Sequence, residues 1–289
     1  LGNRIGLVAA ARSVSSLFAL LTLVILGLAA AETLGRERGL AAAIVLASFY
    51  GFFYASHWIL MDSLLMFLVT SSVLLLHKGL ERDRPFCLAS AGLFAGLAFL
   101  TKGPIALVQI APPWAVLLFS GREKLCHRPA AGLVGLILLL LPGIAWMAAF
   151  RAAGGEELWR EWAVKNLFGR IAGEAGGHAR GPFYYFGALP YILLPWTGAF
   201  AGWIAHRRMR SPPAEGPERR LLLAAAAWAV GGTILLSIPG SKRETYLFPL
   251  LPAFALLAAR ALENPLRWAA WSLRAVSILL IALLAALSF

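Results

Sequence analysis

The chain has 289 residues, of which 60% are hydrophobic and 14% charged, and its formal net charge is +12. Soluble domains carry about 25% charged residues, so this composition excludes a water-soluble globular protein and predicts an all-α integral membrane protein that faces lipid. The positive charge would suggest nucleic acid in a soluble protein. Here Lys and Arg lie mostly in short loops between apolar runs, which indicates membrane topology and no nucleic-acid partner.

Ten apolar runs follow one another along the chain and predict a multi-pass helical bundle of about ten spans. They cover roughly residues 13–34, 39–56, 60–77, 86–100, 104–119, 130–150, 183–205, 220–238, 245–262 and 268–289. Run 86–100 is short, and a tight break at Thr101-Lys102-Gly103-Pro104 follows it. This pair of runs is therefore expected to form either a helical hairpin or two tilted spans.

The distribution of Lys and Arg predicts the orientation of the bundle. If the loop that holds Arg36 and Arg38 lies in the cytoplasm, the loops on that side carry more Lys and Arg than those on the other side, as the positive-inside rule requires. Segment 211–217 is then a flexible cytoplasmic linker, and loop 151–182 faces the periplasm. The whole chain, 1–289, is predicted to be one transmembrane domain of the bacterial inner membrane, and we call its periplasmic side the outer end.

The outer loop 151–182 contains an amphipathic pattern. Leu158, Trp159, Trp162 and Leu167 share one helical face, and Glu157, Glu161 and Lys165 share another. The pattern predicts a helix that lies on the membrane surface with its tryptophans at headgroup depth.

Ionisable residues gather at the predicted outer ends of the spans. Asp62 lies at the mouth of the third run, Lys102 follows the fourth, and Lys242 and Arg243 precede the ninth. Lys and Arg donate charge-assisted hydrogen bonds to phosphate oxygens, so the cluster predicts a site for a lipid phosphate. Lys242 is expected to be only partly buried and to act on phosphate rather than on folding.

Each of these residues also has a purely structural interpretation. Lys102 fits a side chain that snorkels to the interface, and Asp62 fits a helix cap or the partner of a nearby cation. His178 fits a surface histidine, and Tyr184-Tyr185 fit an interfacial aromatic belt.

Six motifs occur in a fixed order along the chain. They are Ala11–Phe18 at the first span, Met61-Asp62-Ser63-Leu64-Leu65, Leu100-Thr101-Lys102-Gly103-Pro104, Pro182-Phe183-Tyr184-Tyr185, Leu194-Pro195-Trp196, and Gly240-Ser241-Lys242 followed by Thr245-Tyr246 and two prolines. Together they resemble the polyprenyl-phosphate-sugar-dependent glycosyltransferases of the family 39 type, which have the GT-C fold. This family includes lipid A aminoarabinose transferases and protein O-mannosyltransferases.

The resemblance implies a glycosyltransferase that moves a sugar from a polyprenyl-phosphate donor to a lipid A, glycan or protein acceptor at the periplasmic face, with inversion at the anomeric carbon. It implies a carboxylate as base and cations on the departing lipid phosphate. No cofactor is assigned; a divalent metal is left open, with His178 as its one candidate ligand. The candidate residues are Asp62 as the catalytic group and, for substrate binding, Lys102, Arg170, His178, Tyr184, Tyr185, Lys242, Arg243 and Tyr246.

One departure from the family concerns the first helix and first outer loop, which carry the acidic residue usually assigned as base and have no counterpart in this sequence. We therefore expect a fragment or an inactive remnant of the transferase. Asp62 would replace the missing base only if it came within about 3 Å of the acceptor hydroxyl.

A transporter or lipid flippase is the alternative from another class, because it would share the span count and the polar outer mouth. Transporters place polar residues near the midplane of repeated halves, whereas this sequence has no internal repeat and few mid-span charges. A non-catalytic scaffold is a third alternative.

Overall fold

The computed structural model describes residues 2–162, 180–205 and 214–262, and these residues fold into a bundle of helices. The first part contains α1 (Gly2–Leu34), α2 (Arg36–Ser48), α3 (Tyr50–His57), α4 (Asp62–Glu81), α5 (Pro85–Lys102), α6 (Pro104–Ser120), α7 (Arg122–Cys126) and α8 (Pro129–Trp162). The second contains α9 (Tyr184–Ile192) and α10 (Thr197–Ala205). In the third, α11 (Gly216–Ala226) continues through a π-helical turn, Ala227–Gly231, into α12 (Gly232–Ser237), and a 3-10 helix, Glu244–Leu250, leads into α13 (Leu251–Ala261). The predicted all-α architecture is confirmed.

Five stretches of helix in the described part are long and apolar enough to cross a membrane, so the chain is a multi-pass membrane protein. They are Gly6–Leu34, Asp62–Glu81, Pro85–Lys102, Pro129–Trp162 and Gly216–Ser237. Helices α2 and α3 form a sixth only if they are counted together, because they are bent by 68° at Phe49. The described residues therefore support fewer spans than the ten predicted.

Two of the predicted spans differ from the structure because prolines interrupt them. The run 183–205 is divided into the short helices α9 and α10, with Pro195 in the break between them. The run 245–262 begins as a 3-10 helix and becomes α-helical at Leu251, so Pro252 lies in the first turn, where its missing N–H costs no hydrogen bond. The run 268–289 lies outside the described residues.

The pair of runs around Lys102 is a tight helical hairpin. Helix α5 has 18 residues, and Gly103 is the one residue between it and α6. The φ angle of Gly103 is 65°, a left-handed conformation that glycine adopts without a steric penalty. The turn brings the end of α5 and the start of α6 to the outer end of the bundle.

Helix α4 is the central element of the bundle. In its most apolar window 78% of the residues are buried, against 11% for α8, which therefore lies at the periphery and exposes its apolar side chains to lipid. Because α4 begins at Asp62, the central helix delivers this carboxylate to the outer end.

Ion pairs join helices at the inner end of the bundle. From the sequence, the basic residues there were expected only to determine the orientation in the membrane. Arg38 of α2 bonds Glu218 of α11 at 2.9 Å, and Arg260 of α13 lies 3.5 Å from the same carboxylate. Glu81, at the end of α4, accepts hydrogen bonds from Arg220 at 2.6 Å and from Lys124 at 3.1 Å. These basic residues therefore also join helices.

Helix α8 contains a sharp turn near its outer end. Gly155 has a φ angle of 72°, and the residues after it fold back so that Trp162 lies 5.4 Å from Trp146 and 5.9 Å from Phe150 between ring centroids. The described residues of the predicted surface helix, up to Trp162, thus form the final turns of α8, and residues 163–179 of loop 151–182 lie outside the described residues.

Candidate functional site

A buried ion pair lies at the outer end of the bundle, between Asp62 and Lys102. Asp62 begins α4, where the helix dipole favours a carboxylate, and Lys102 ends α5, where it favours a cation. Lys102 Nζ donates to Asp62 Oδ1 at 2.6 Å, and the two side chains are 18% and 3% exposed. Lys102 is therefore an ion-pair partner in this conformation, not a side chain extended into the interface.

The 3-10 helix places the last of the six sequence motifs, which includes Thr245 and Tyr246, next to this ion pair. The Thr245 side chain lies near the Asp62 carboxylate, and the charge of Arg243 lies close enough to act on it. Lys102 Nζ lies 5.3 Å from the centre of the Tyr246 ring, within range of a cation–π interaction. Three motifs that are far apart in sequence thus meet around one carboxylate, and Thr245 joins the predicted residues.

Gln109 holds the 3-10 helix in place and is a residue that the sequence reasoning missed. It is fully buried in α6, and its Nε2 donates to the backbone oxygen of Tyr246 at 2.8 Å. A single amide within the apolar run 104–119 is the sequence signal that could have identified it, because polar side chains inside spans are costly and usually have a partner.

Lys242 occupies a different environment from the one predicted. It is only 3% exposed, and its ammonium group donates to the backbone oxygens of Arg180 (3.2 Å) and Pro239. Burial lowers the pKa of this amine. The expectation of a partly buried side chain is wrong. Lys242 joins the loop before the 3-10 helix to the backbone at Arg180, whose nitrogen donates to the Gly240 oxygen.

Tyr184 and Tyr185 separate into two environments. Tyr185 is fully buried in the core. Tyr184 is partly exposed; its hydroxyl donates to Glu244 Oε1 at 3.1 Å, and the Arg180 guanidinium lies 5.8 Å from its ring centre. Glu244, which follows Lys242 and Arg243 in the sequence, thus faces Tyr184 of α9.

Two predicted site residues, Arg170 and His178, lie outside the described residues. Within the described ranges, no group of three His, Cys, Asp or Glu side chains is arranged to hold a metal ion. Asp62, Lys102, Arg243 and Tyr246 are brought together, and Lys242 and Tyr184 lie in the adjoining loop and helix.

Comparison with known proteins gives consistent matches. A family profile described as dolichyl-phosphate-mannose-protein mannosyltransferase matches residues 6–146. The undecaprenyl phosphate-alpha-4-amino-4-deoxy-L-arabinose arabinosyl transferase of Pseudomonas paraeruginosa is 30% identical over 268 residues, which are 89% of this chain and 46% of that protein. The enzyme of the same name from Pseudomonas aeruginosa strain PAO1 is 29% identical over 266 residues. The chain spans about half the length of the curated relatives it matches.

A solved structure has the same fold. The crystal structure of ArnT from Cupriavidus metallidurans bound to undecaprenyl phosphate superposes with a TM-score of 0.76 at 21% identity, over 93% of this chain and 49% of that one. The structure of the same protein in the apo state gives a TM-score of 0.73. The resemblance predicted from the motifs is confirmed.

Proposed function

We propose that the chain forms the lipid-binding membrane part of a glycosyltransferase. Its relatives are the polyprenyl-phosphate-sugar-dependent glycosyltransferases of the family 39 type. The reaction moves a sugar from a polyprenyl-phosphate donor to an acceptor at the outer end of the bundle. The names of the relatives state a donor, an undecaprenyl-phosphate-linked aminoarabinose, and the proposed acceptor is lipid A, a glycan or a protein. The observation that carries the proposal is the convergence of Asp62, Lys102, Arg243 and Tyr246 at that end.

The cations of this cluster bind and stabilise the lipid phosphate. Lys102 and Arg243 lie beside one buried carboxylate, so their charge is oriented before a ligand arrives, and such preorganised groups stabilise charge that develops on a leaving phosphate. Lys242 uses two of its three N–H groups on backbone oxygens, which leaves one for a phosphate oxygen. Arg170 contributes from the outer loop, Tyr184 and Tyr246 contact the sugar, and the fully buried Tyr185 supports Tyr184, with 5.4 Å between their ring centroids.

Asp62 orients the cations in this proposal and is not the acceptor's base. Its carboxylate already accepts a hydrogen bond from Lys102, Thr245 lies near it, and it is 2% exposed. A general base needs direct contact with the acceptor hydroxyl. We propose that the base is a carboxylate other than Asp62, and that the isolated chain binds the lipid without turning it over.

We further propose an arrangement of about ten spans in the bacterial inner membrane, with residues 1–289 as a single domain. Loop 151–182 then lies in the periplasm, and the tryptophans that follow Gly155 lie at headgroup depth. The clustered rings of Trp146, Trp159 and Trp162 support this, because tryptophan prefers the membrane interface. His178 remains the candidate ligand for a divalent metal near the outer loops.

The test is a pair of assays on the purified 289-residue protein and on a form extended upstream. Both forms should bind polyprenyl phosphate, and the extended form alone should transfer the sugar from a synthetic polyprenyl-phosphate donor. Arg243→Gln should weaken binding of the lipid at least about tenfold, as loss of one charge-assisted contact does, whereas Arg128→Gln at the inner end should not. Turnover by the short form that disappears in Asp62→Asn would show that Asp62 is the base.

A further inference from the structure

The motif Leu194-Pro195-Trp196 lies in the break between α9 and α10, where it contacts a second break, the bend of 68° between α2 and α3. Trp196 Nε1 donates to Ser48 Oγ at 2.8 Å, and the backbone nitrogen of Tyr50 donates to the oxygen of Leu194 at 2.9 Å. One bond is made just before the bend and the other just after it. The motif therefore fixes the point from which α3 starts.

The other end of α3 is bonded to the helix that carries Asp62. Ser63, the next residue of α4, donates its hydroxyl to the backbone oxygen of Ala55 in α3 at 2.6 Å. Ser63 and Ala55 are both fully buried, so water does not compete for this bond. The first turn of α4 is thus held against α3.

Helix α3 also packs against the segment that forms the opposite side of the candidate site. A Cβ atom on Gly51 would lie 2.6 Å from Ile192 Cγ2 and 3.3 Å from Leu251 Cδ1, so the backbone of α3 passes closely between α9 and the start of α13. One turn later, the ring of Tyr54 lies 5.8 Å from that of Phe248 in the 3-10 helix, between centroids. A third helix break, from 3-10 to α-helix, therefore also rests on α3.

The two sides of the proposed phosphate site thus belong to different parts of the bundle. Asp62 and Lys102 lie on α4 and α5, whereas Arg243 and Tyr246 lie at the start of the 3-10 helix, which Gln109 supports from α6. Charge-assisted hydrogen bonds to phosphate are short, about 2.8 Å, so cations on both sides bind one phosphate only at the right separation. Because α3 contacts both sides, its position sets that separation.

We propose that Trp196 is a positioning residue for the lipid-phosphate site, a role that rests on the proposed function. It is 8% exposed and acts through Ser48 on the start of α3. Helix α3 has eight residues and rises about 1.5 Å per residue, so Trp196 acts from about 12 Å along the helix axis. Within lipid no water replaces a lost hydrogen-bond partner, and loss of this bond shifts α3 against both sides of the site.

The experiment measures two properties of the purified 289-residue protein: its affinity for polyprenyl phosphate, and hydrogen exchange of the backbone amides in Glu244–Leu250. Trp196→Phe removes the donor but keeps a buried ring, and Ser48→Ala removes the acceptor. Each should weaken lipid binding about fivefold, as one interhelical hydrogen bond in a membrane allows, and accelerate exchange in the 3-10 helix. The double variant should be no weaker than either single one, because both remove the same bond. Ser48→Thr keeps the hydroxyl and should bind like the wild type.

The matched control is Ser72→Ala, which removes another interhelical hydrogen bond, from Ser72 Oγ to the backbone oxygen of Ala91 at 3.0 Å. It should lower the unfolding temperature about as much as Ser48→Ala does, yet leave the affinity for the lipid within about twofold. The inference is overturned if Ser72→Ala weakens binding equally, or if the effects of Trp196→Phe and Ser48→Ala add.

Two further outcomes separate this inference from the proposed function. If Trp196→Phe accelerates exchange in the 3-10 helix but binds polyprenyl phosphate like the wild type, Trp196 does not position the phosphate site, and the proposed function stands without this inference. If the wild type itself fails to bind polyprenyl phosphate, the proposed function is contradicted, and this inference with it.

Discussion

The backbones of Gly92 and Gly135 touch where α5 crosses α8. A Cβ atom on Gly92 would lie 1.9 Å from the carbonyl oxygen of Gly135, and one on Gly135 would lie 2.9 Å from the carbonyl oxygen of Leu88. Only residues without a side chain allow two helices to approach this closely. Inside a membrane, burial from water does not drive helix association, so van der Waals contact of this kind holds the helices together. The glycines thus determine how near α8 lies to the helix that carries Lys102.

Gly92→Ala should separate the two helices and destabilise the protein. The added methyl group meets backbone atoms that cannot rotate away, so we expect a loss of at least about 2 kcal/mol, within the range for overpacked sites. The measurement is thermal unfolding in detergent. Gly187→Ala is the control, because nothing lies within 4 Å of the position of its added Cβ. Equal unfolding temperatures for the two variants would contradict the close packing of α5 on α8.

The Asp62–Lys102 pair should behave as a single unit. Lys102→Met leaves a buried carboxylate unpaired and should cost about 3 kcal/mol. Adding Asp62→Asn removes that charge and should restore most of the stability, so a double-mutant cycle should give a large coupling between the two sites. The exposed pair Asp83–Arg128, changed in the same way, should barely alter unfolding. If the stability changes of the two single variants simply add in the double variant, Lys102 is not paired with Asp62 and the snorkelling interpretation holds.

The helical class and the identity of the outer cluster could be predicted from sequence, because both depend on local signals. Long apolar runs determine spans, and Asp62, Lys102 and Arg243 lie directly at their ends. The number of spans could not be obtained this way, since Pro195 divides one predicted run into two helices and Phe49 lies at a sharp bend in another. Hydropathy averages over such breaks, and it does not register the direction that the chain takes after them.

The partners of individual polar side chains were also beyond the sequence. Lys242 stands in a polar loop, a context typical of exposed lysines, yet its ammonium group is buried on backbone oxygens that are 62 and 3 residues away. Gln109 lies in an apolar helix, and its partner is the backbone of Tyr246, 137 residues later. Contacts of this range depend on how the helices pack, which no local pattern encodes.

Lys242 should make stability depend on pH in a predictable direction. Burial lowers the pKa of its amine in the folded state below the ordinary 10.5. Between those two pKa values the unfolded chain holds more protons at this site than the folded chain, so stability rises with pH there. Below the folded pKa the cost of burying the charge is fully present. The wild type should therefore gain stability relative to Lys242→Met as pH rises toward 10.

The measurement is the difference in unfolding temperature between wild type and Lys242→Met at several pH values from 7 to 10. The difference cancels the other titrating groups, which both proteins share. Lys124→Met, at a side chain that is 42% exposed, serves as the control and should show a smaller dependence on pH. A constant difference for Lys242→Met across the range would mean that the amine is not buried in solution.

The two native cysteines offer a direct test of orientation. Cys126 ends α7 and is exposed at the inner end, whereas Cys87 is buried in α5. The positive-inside rule assigns the inner end to the cytoplasm, so a membrane-impermeant maleimide should not label Cys126 in right-side-out spheroplasts and should label it once the membrane is permeabilised. Gly181→Cys in a Cys126→Ser background should react in intact spheroplasts, because position 181 is exposed and a side chain there meets no atom within 4 Å. Cys87 should remain unlabelled in both preparations, which controls for unfolding. Labelling of Cys126 without permeabilisation, together with protection of position 181, would invert the bundle and move Asp62, Lys102 and Glu244 to the cytoplasmic side.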